Sequence, residues 1–145
     1  MRKNRKKLLI ILVSALIVFV VVGLFNPLSV SEIFLNSDKI ETPIRIALVS
    51  DLHSCKYGEA QCELIEAITE NEPDIICLTG DIFDDKLSND NAELFISEIS
   101  AKYPCYYVTG NHEFWVSEKE FNEKMSILED HGDTLTILRS RLLRS

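Results

Sequence analysis

"CYYVTGNHE" (residues 105–113) joins two kinds of residue that rarely meet by chance. Cys105–Thr109 are strand-forming types, suited to a pleated, buried surface. Gly110 interrupts them, and Asn111, His112 and Glu113 follow at once. Two earlier stretches have the same form. "IRIALVS" (44–50) is an apolar run that leads into Asp51 and His53, and "DIICLT" (74–79) leads into Gly80 and Asp81. Three strands therefore end in side chains able to bind a metal or move a proton.

The segments between the strands carry helical periodicity. In 59–72, Leu64, Ile65 and Ile68 share a face, and Asn71 and Pro73 close the helix. In 91–103 the face is Leu94, Phe95 and Ile99. In 117–132, Ser117 and Glu120 have capping-box spacing, and Gly132 stands as a stop. A fourth strand is expected at 134–138. Strands alternating with helices give an α/β fold of βαβαβα order with a parallel sheet. The near-continuous apolar runs predict a sheet covered on both faces.

The steps from Asp51 to Asp81 and from Asp81 to Asn111 are both 30 residues, one βαβ unit each. Parallel strands present their carboxyl ends along one edge, where α/β proteins bind ligands. Each cluster alone reads as an ordinary turn or helix cap. Three clusters at the same structural position outweigh that reading. Asp51 and His53 lie two apart, so an extended chain points both the same way. Asp81 has two carboxylate oxygens and can bridge two ions; Asn111 offers a neutral oxygen. Two divalent ions, two carboxylates and a bridging hydroxide leave a net positive centre, suited to an anionic substrate. Such a pair generates hydroxide at neutral pH and clamps an in-line displacement.

"SDLH" (50–53), "TGD" (79–81) and "TGNHE" (109–113) resemble the first three signature blocks of the calcineurin-like metallophosphoesterases, in order, spacing and strand context. The stretch from about Pro43 to Asp133 is similar to the membrane-anchored bacterial members. The resemblance implies a four-layer αββα sandwich of which this chain encodes the N-terminal half. It implies that Asp51 and His53 bind a first metal, that Asp81 bridges and that Asn111 binds a second. The ions would be manganese, iron, zinc or similar. His112 would be catalytic, acting on the leaving oxygen, and Glu113 would support the ligands from behind. The implied activity is hydrolysis of a phosphomonoester, phosphodiester or pyrophosphate in a small-molecule or lipid substrate. The family's later G-H-x-H block has no counterpart. The chain has three histidines, and His131, near a helix end, suits a structural role. Asp84 reads as part of an ordinary acidic loop. A truncated chain is expected; the alternative is a non-catalytic membrane-anchored module of the same fold.

The N-terminus differs in kind from the rest. Leu8–Phe25 are eighteen residues without a charge, preceded by Arg2, Lys3, Arg5, Lys6 and Lys7. That length spans a bilayer's hydrocarbon core as a helix and exceeds the apolar region of a cleaved signal. A single-pass anchor is expected, with the N-terminus cytoplasmic and the domain outside. The expected organisation is anchor 1–28, linker 29–43 and metallophosphoesterase domain 44–145. The net charge is −8; residues 1–28 carry +5, leaving −13 for the remainder. So acidic a domain excludes non-specific nucleic-acid binding. The four cysteines form no CxxC pair, which excludes a zinc finger. Cys77 and Cys105 read as core residues.

Overall fold

The computed structural model describes residues 28–138, together with Lys7, Leu12–Ser14, Leu16 and Phe19. Contacts divide the chain into two units, Met1–Ser31 and Glu32–Ser145. The second holds every element discussed below. Among the described residues no helix is long and apolar enough to cross a membrane. Most of the expected anchor, Leu8–Phe25, lies outside the described residues, so the transmembrane helix has no support in the structure.

Four strands are present: β1 Ile46–Val49, β2 Ile75–Leu78, β3 Cys105–Tyr107 and β4 Leu135–Ile137. They form one parallel sheet in the order β1-β2-β3-β4. Between them lie α1 Cys62–Thr69, α2 Asp90–Ser100 and α3 Glu118–Glu129. Short 3-10 turns, Glu59–Gln61 and His112–Phe114, precede α1 and α3.

The register separates two faces. One carries Ile76, Leu78, Cys105, Tyr107 and Leu135, all buried, and shares the core with Leu64, Ile68, Phe95, Ile96, Ile99 and Leu128 of the helices. Burial pushes the Cys105 thiol up to about 11, as befits an inert core cysteine. The opposite face carries Ile46, Leu48, Ile75, Cys77, Tyr106 and Thr136. There Ile46, Leu48 and Tyr106 are exposed, Leu48 by 69%. The expectation of two covered faces is therefore corrected. The sequence makes both faces apolar, but the described residues supply helices for only one. The other face is bare among the described residues. Cys77 lies on it, half-buried, rather than in the core.

Helix boundaries depart from the sequence pattern for local reasons. α1 begins at Cys62, not residue 59, because Ala60 and Gln61 take left-handed backbone angles. The Gln61 side chain, fully buried, explains that turn. It accepts from Tyr57 N at 2.7 Å and donates to Cys55 O at 2.9 Å and Asn91 O at 3.1 Å. At α3 the capping box forms as read: Ser117 Oγ accepts from Glu120 N, and Glu120 accepts from Ser117 N. Gly132 is not the stop expected of it. α3 ends at Glu129, and Gly132 has no positive φ.

Candidate metal centre

All three loops that follow β1, β2 and β3 reach the same edge of the sheet. The first two continue to pair past the strand ends: Asp51 N donates to Gly80 O, His53 N to Asp81 O and Ser54 N to Ile82 O, at 3.2, 2.9 and 3.0 Å. They do so with unusual backbone angles. Asp51, His53, Ser54 and Asp81 have φ of 55°, 49°, 51° and 53°. Left-handed backbone costs a side-chain-bearing residue roughly 1–2 kcal/mol and concentrates at functional sites. The extended geometry expected for Asp51 and His53 is thus replaced by left-handed turns. The two still meet, with His53 Nε2 3.9 Å from Asp51 Oδ1.

Glycines make the approach of the second and third loops close. Gly80 has φ +97°, and a Cβ there would lie 2.8 Å from Gly110 Cα. Gly110 has no positive φ; its reason is space. A Cβ there would fall 2.6 Å from Asp81 Cγ. The Asp81 carboxylate therefore sits against the bare backbone of residue 110, and its Oδ1 accepts from His112 N at 2.8 Å.

Glu113 clasps these loops. It is fully buried, and its carboxylate accepts four backbone N–H groups. Oε1 takes Ile82 N at 2.9 Å and Phe83 N at 3.1 Å. Oε2 takes Asp81 N at 3.1 Å and Gly110 N at 2.8 Å. These four contacts join the loops after β2 and β3. Tyr107 lies behind, its hydroxyl buried without an aligned partner among the described residues. Burial, then the negative charge of Glu113, pushes its ionisation far up.

The result brings His53, Asp81 and His112 together, with one potential ligand atom from each within 4.8 Å of the others. The His53 and His112 rings meet edge to face, 4.4 Å between centroids. Asn111 is exposed at the start of the 3-10 turn. His131 belongs to the turn after α3, where its carbonyl accepts from Thr134 N and Leu135 N.

Two carboxylates join that sequence reading missed or discounted. Asp85 Oδ1 lies 3.0 Å from His112 Nδ1, and that hydrogen bond is the main reason its carboxyl is held below the usual range. Asp84 Oδ2 lies 3.7 Å from His53 Nδ1. Burial would raise the Asp84 carboxyl, but N–H groups of Leu87 and Lys86 and the nearby histidines hold it low. The loop bearing both is tied to α3 by Lys124, a buried lysine whose Nζ donates to Asp84 O at 2.8 Å. Ser54 is tied to α2 through Asn91, whose Nδ2 donates to Ser54 O.

Asp51, Asp81, Asp84 and Asp85 thus surround two imidazoles, and among the described residues His53 Nδ1 is buried without a hydrogen-bond partner. Carboxylates and imidazole side by side suit divalent transition metals. An excess of negative charge around an unpartnered ring nitrogen fits a bound cation. The family model of calcineurin-like phosphoesterases matches residues 44–140. The chain belongs to that family. The calcineurin-like phosphoesterases are hydrolases that use divalent metals, and the clustered donors agree with both. Among similar proteins, the uncharacterized metallophosphoesterase YkoQ of Bacillus subtilis (strain 168) is 29% identical over 92 residues, covering 61% of this chain and 34% of its own. A UDP-2,3-diacylglucosamine hydrolase of Vibrio cholerae serotype O1 (El Tor Inaba N16961) is 26% identical over 121 residues, covering 66% and 50%. The same-named protein of strain O395 is also 26% identical, covering 66% and 49%. The chain thus spans between a third and half of the length of these relatives.

Proposed function

We propose that this chain carries ligands of a dinuclear metal centre for phosphoester hydrolysis. Asp51, His53 and Asp81 would hold one divalent ion, and Asp81 and Asn111 would hold the other. The observation that carries the reading is the convergence of His53, Asp81 and His112 on one spot from three different strand ends. Bound divalent ions supply Lewis-acid polarisation of phosphoryl oxygens and activate water.

The protein's own groups set the rest. Asp85 accepts from His112 Nδ1 and fixes the ring, which leaves Nε2 free. As an imidazolium, His112 then has a second N–H to give to a leaving oxygen. Glu113 and the glycine pair keep Asp81 aimed without becoming ligands. The hydrolases of Vibrio cholerae act, by name, on a nucleotide-linked lipid. A phosphorylated lipid-like substrate is the corresponding proposal here.

Manganese titration by calorimetry tests the centre. The chain is expected to bind manganese saturably, and Asp81→Ala to weaken binding by more than the roughly 100-fold that loss of a supporting residue costs. Any manganese-dependent release of nitrophenolate from bis(4-nitrophenyl) phosphate should fall in parallel. Equal binding by the two proteins would remove Asp81 from the centre.

We also propose that Leu8–Phe25 anchor the domain on the outer side of a membrane, on the strength of the basic cluster before an uncharged run. Protease added to intact cells should then digest residues beyond about 30. Complete protection of the domain reverses the orientation.

A further inference from the structure

His112 has a neighbour that the centre does not use. The Trp115 ring lies 4.4 Å from the His112 ring, tilted by 46°. It is the chain's single tryptophan, and it is 63% exposed. Phe114 beside it is half exposed and stacked on Phe121 at 5.2 Å. Exposed and held against the His112 imidazole, the Trp115 ring presents a flat apolar face beside it.

The position defines the occupant. If His112 gives its proton to the leaving oxygen, the atoms attached to that oxygen emerge beside the His112 ring. Two surroundings adjoin them. Past Asp85 lies a cavity of about 240 Å³, lined by Asp84, Asp85, Glu120 and Glu123 together with Lys86, Lys124 and less polar residues. Its four carboxylates disfavour an apolar group. The other surrounding is the indole face of Trp115.

We propose that Trp115 is a specificity-determining residue, a wall against which an apolar, planar leaving group of a phosphoester rests. The inference rests on the phosphoesterase reading above and, in place of the lipid-like substrate suggested by a relative's name, favours esters of aromatic or similarly flat apolar alcohols over phosphate groups with no such substituent.

The test uses the full chain with saturating manganese and two probes, phenyl phosphate and inorganic phosphate, with calorimetry as the readout. Wild type is expected to bind phenyl phosphate roughly tenfold more tightly than phosphate, the scale of one aromatic contact with its buried area. Phenyl phosphate, not phosphate, should shift the fluorescence emission of Trp115, the chain's single tryptophan. In Trp115→Ala the two affinities should come within about twofold, through loss of phenyl phosphate binding alone. Trp115→Phe keeps a flat face and should retain most of the preference. Persistence of the preference in Trp115→Ala overturns the proposal. Equal binding of both probes by wild type overturns it too, while leaving the phosphoesterase reading intact. Binding of neither probe overturns both.

Discussion

Glu113→Ala should lose a large share of the domain's stability and lower its unfolding midpoint steeply. The carboxylate is fully buried and is the acceptor for four backbone N–H groups, those of Asp81, Ile82, Phe83 and Gly110. A buried donor without an acceptor costs about 1–3 kcal/mol, so four cost about 4 kcal/mol even at the low end. A typical domain is stable by only about 5–15 kcal/mol. Glutamine is no safe substitute here. Each carboxylate oxygen serves two N–H groups, so an amide NH₂ in either place would set donors against donors. Glu113→Gln is expected to lose at least about 2 kcal/mol, which lowers the midpoint by roughly 8–16 °C for a domain of this size. Far-UV circular dichroism during heating gives the answer. A midpoint for Glu113→Gln within about 2 °C of the parent would show that the clasp is not holding the loops.

Gly110→Ala should act on the centre. The added methyl group would overlap the Asp81 carboxylate and come within 2.5 Å of Asp81 N. Asp81 cannot swing away while its backbone N–H is held by Glu113 and its carbonyl accepts from His53 N. The loops must separate instead, and the donors of His53, Asp81 and His112 separate with them. Manganese affinity is expected to fall at least as far as when a supporting residue is lost, about 10- to 100-fold. Gly132→Ala is the control. Its added carbon meets only Glu129 O, at 3.1 Å, in the turn after α3. Its manganese affinity should match the parent. Undiminished affinity in Gly110→Ala would mean that the two loops can part without moving the ligands.

The sequence carried the parallel sheet and the meeting of three strand ends because long apolar runs and a 30-residue step are periodic signals. Features that depend on loop conformation left no such trace. Asp51 and His53 look like alternate residues of an extended chain, yet they converge through consecutive turns of positive φ. Gly110 looks like the left-handed residue of a tight turn, yet its φ is ordinary and it yields room to Asp81. Asp84 and Asp85 look like an acidic surface loop. Only the fold shows each facing its own histidine, because Lys124 and Ser54 fix a path that no local pattern encodes. The runs that predicted the sheet also overstated its cover: they record that both faces are apolar, not which layers meet them.

The order β1-β2-β3-β4 has a bearing on synthesis. Each strand pairs with its predecessor in the chain, so a growing polypeptide can add every new βα unit to a template already made. Among the described strands, none must wait for a distant one. The clasp is the exception to this stepwise schedule. Asp51, His53 and Asp81 are all translated before Glu113, but the N–H groups that Glu113 receives belong to residues 81–83 and 110. During translation, the meeting of the candidate donors therefore lags behind the donors themselves and arrives with the third strand's loop.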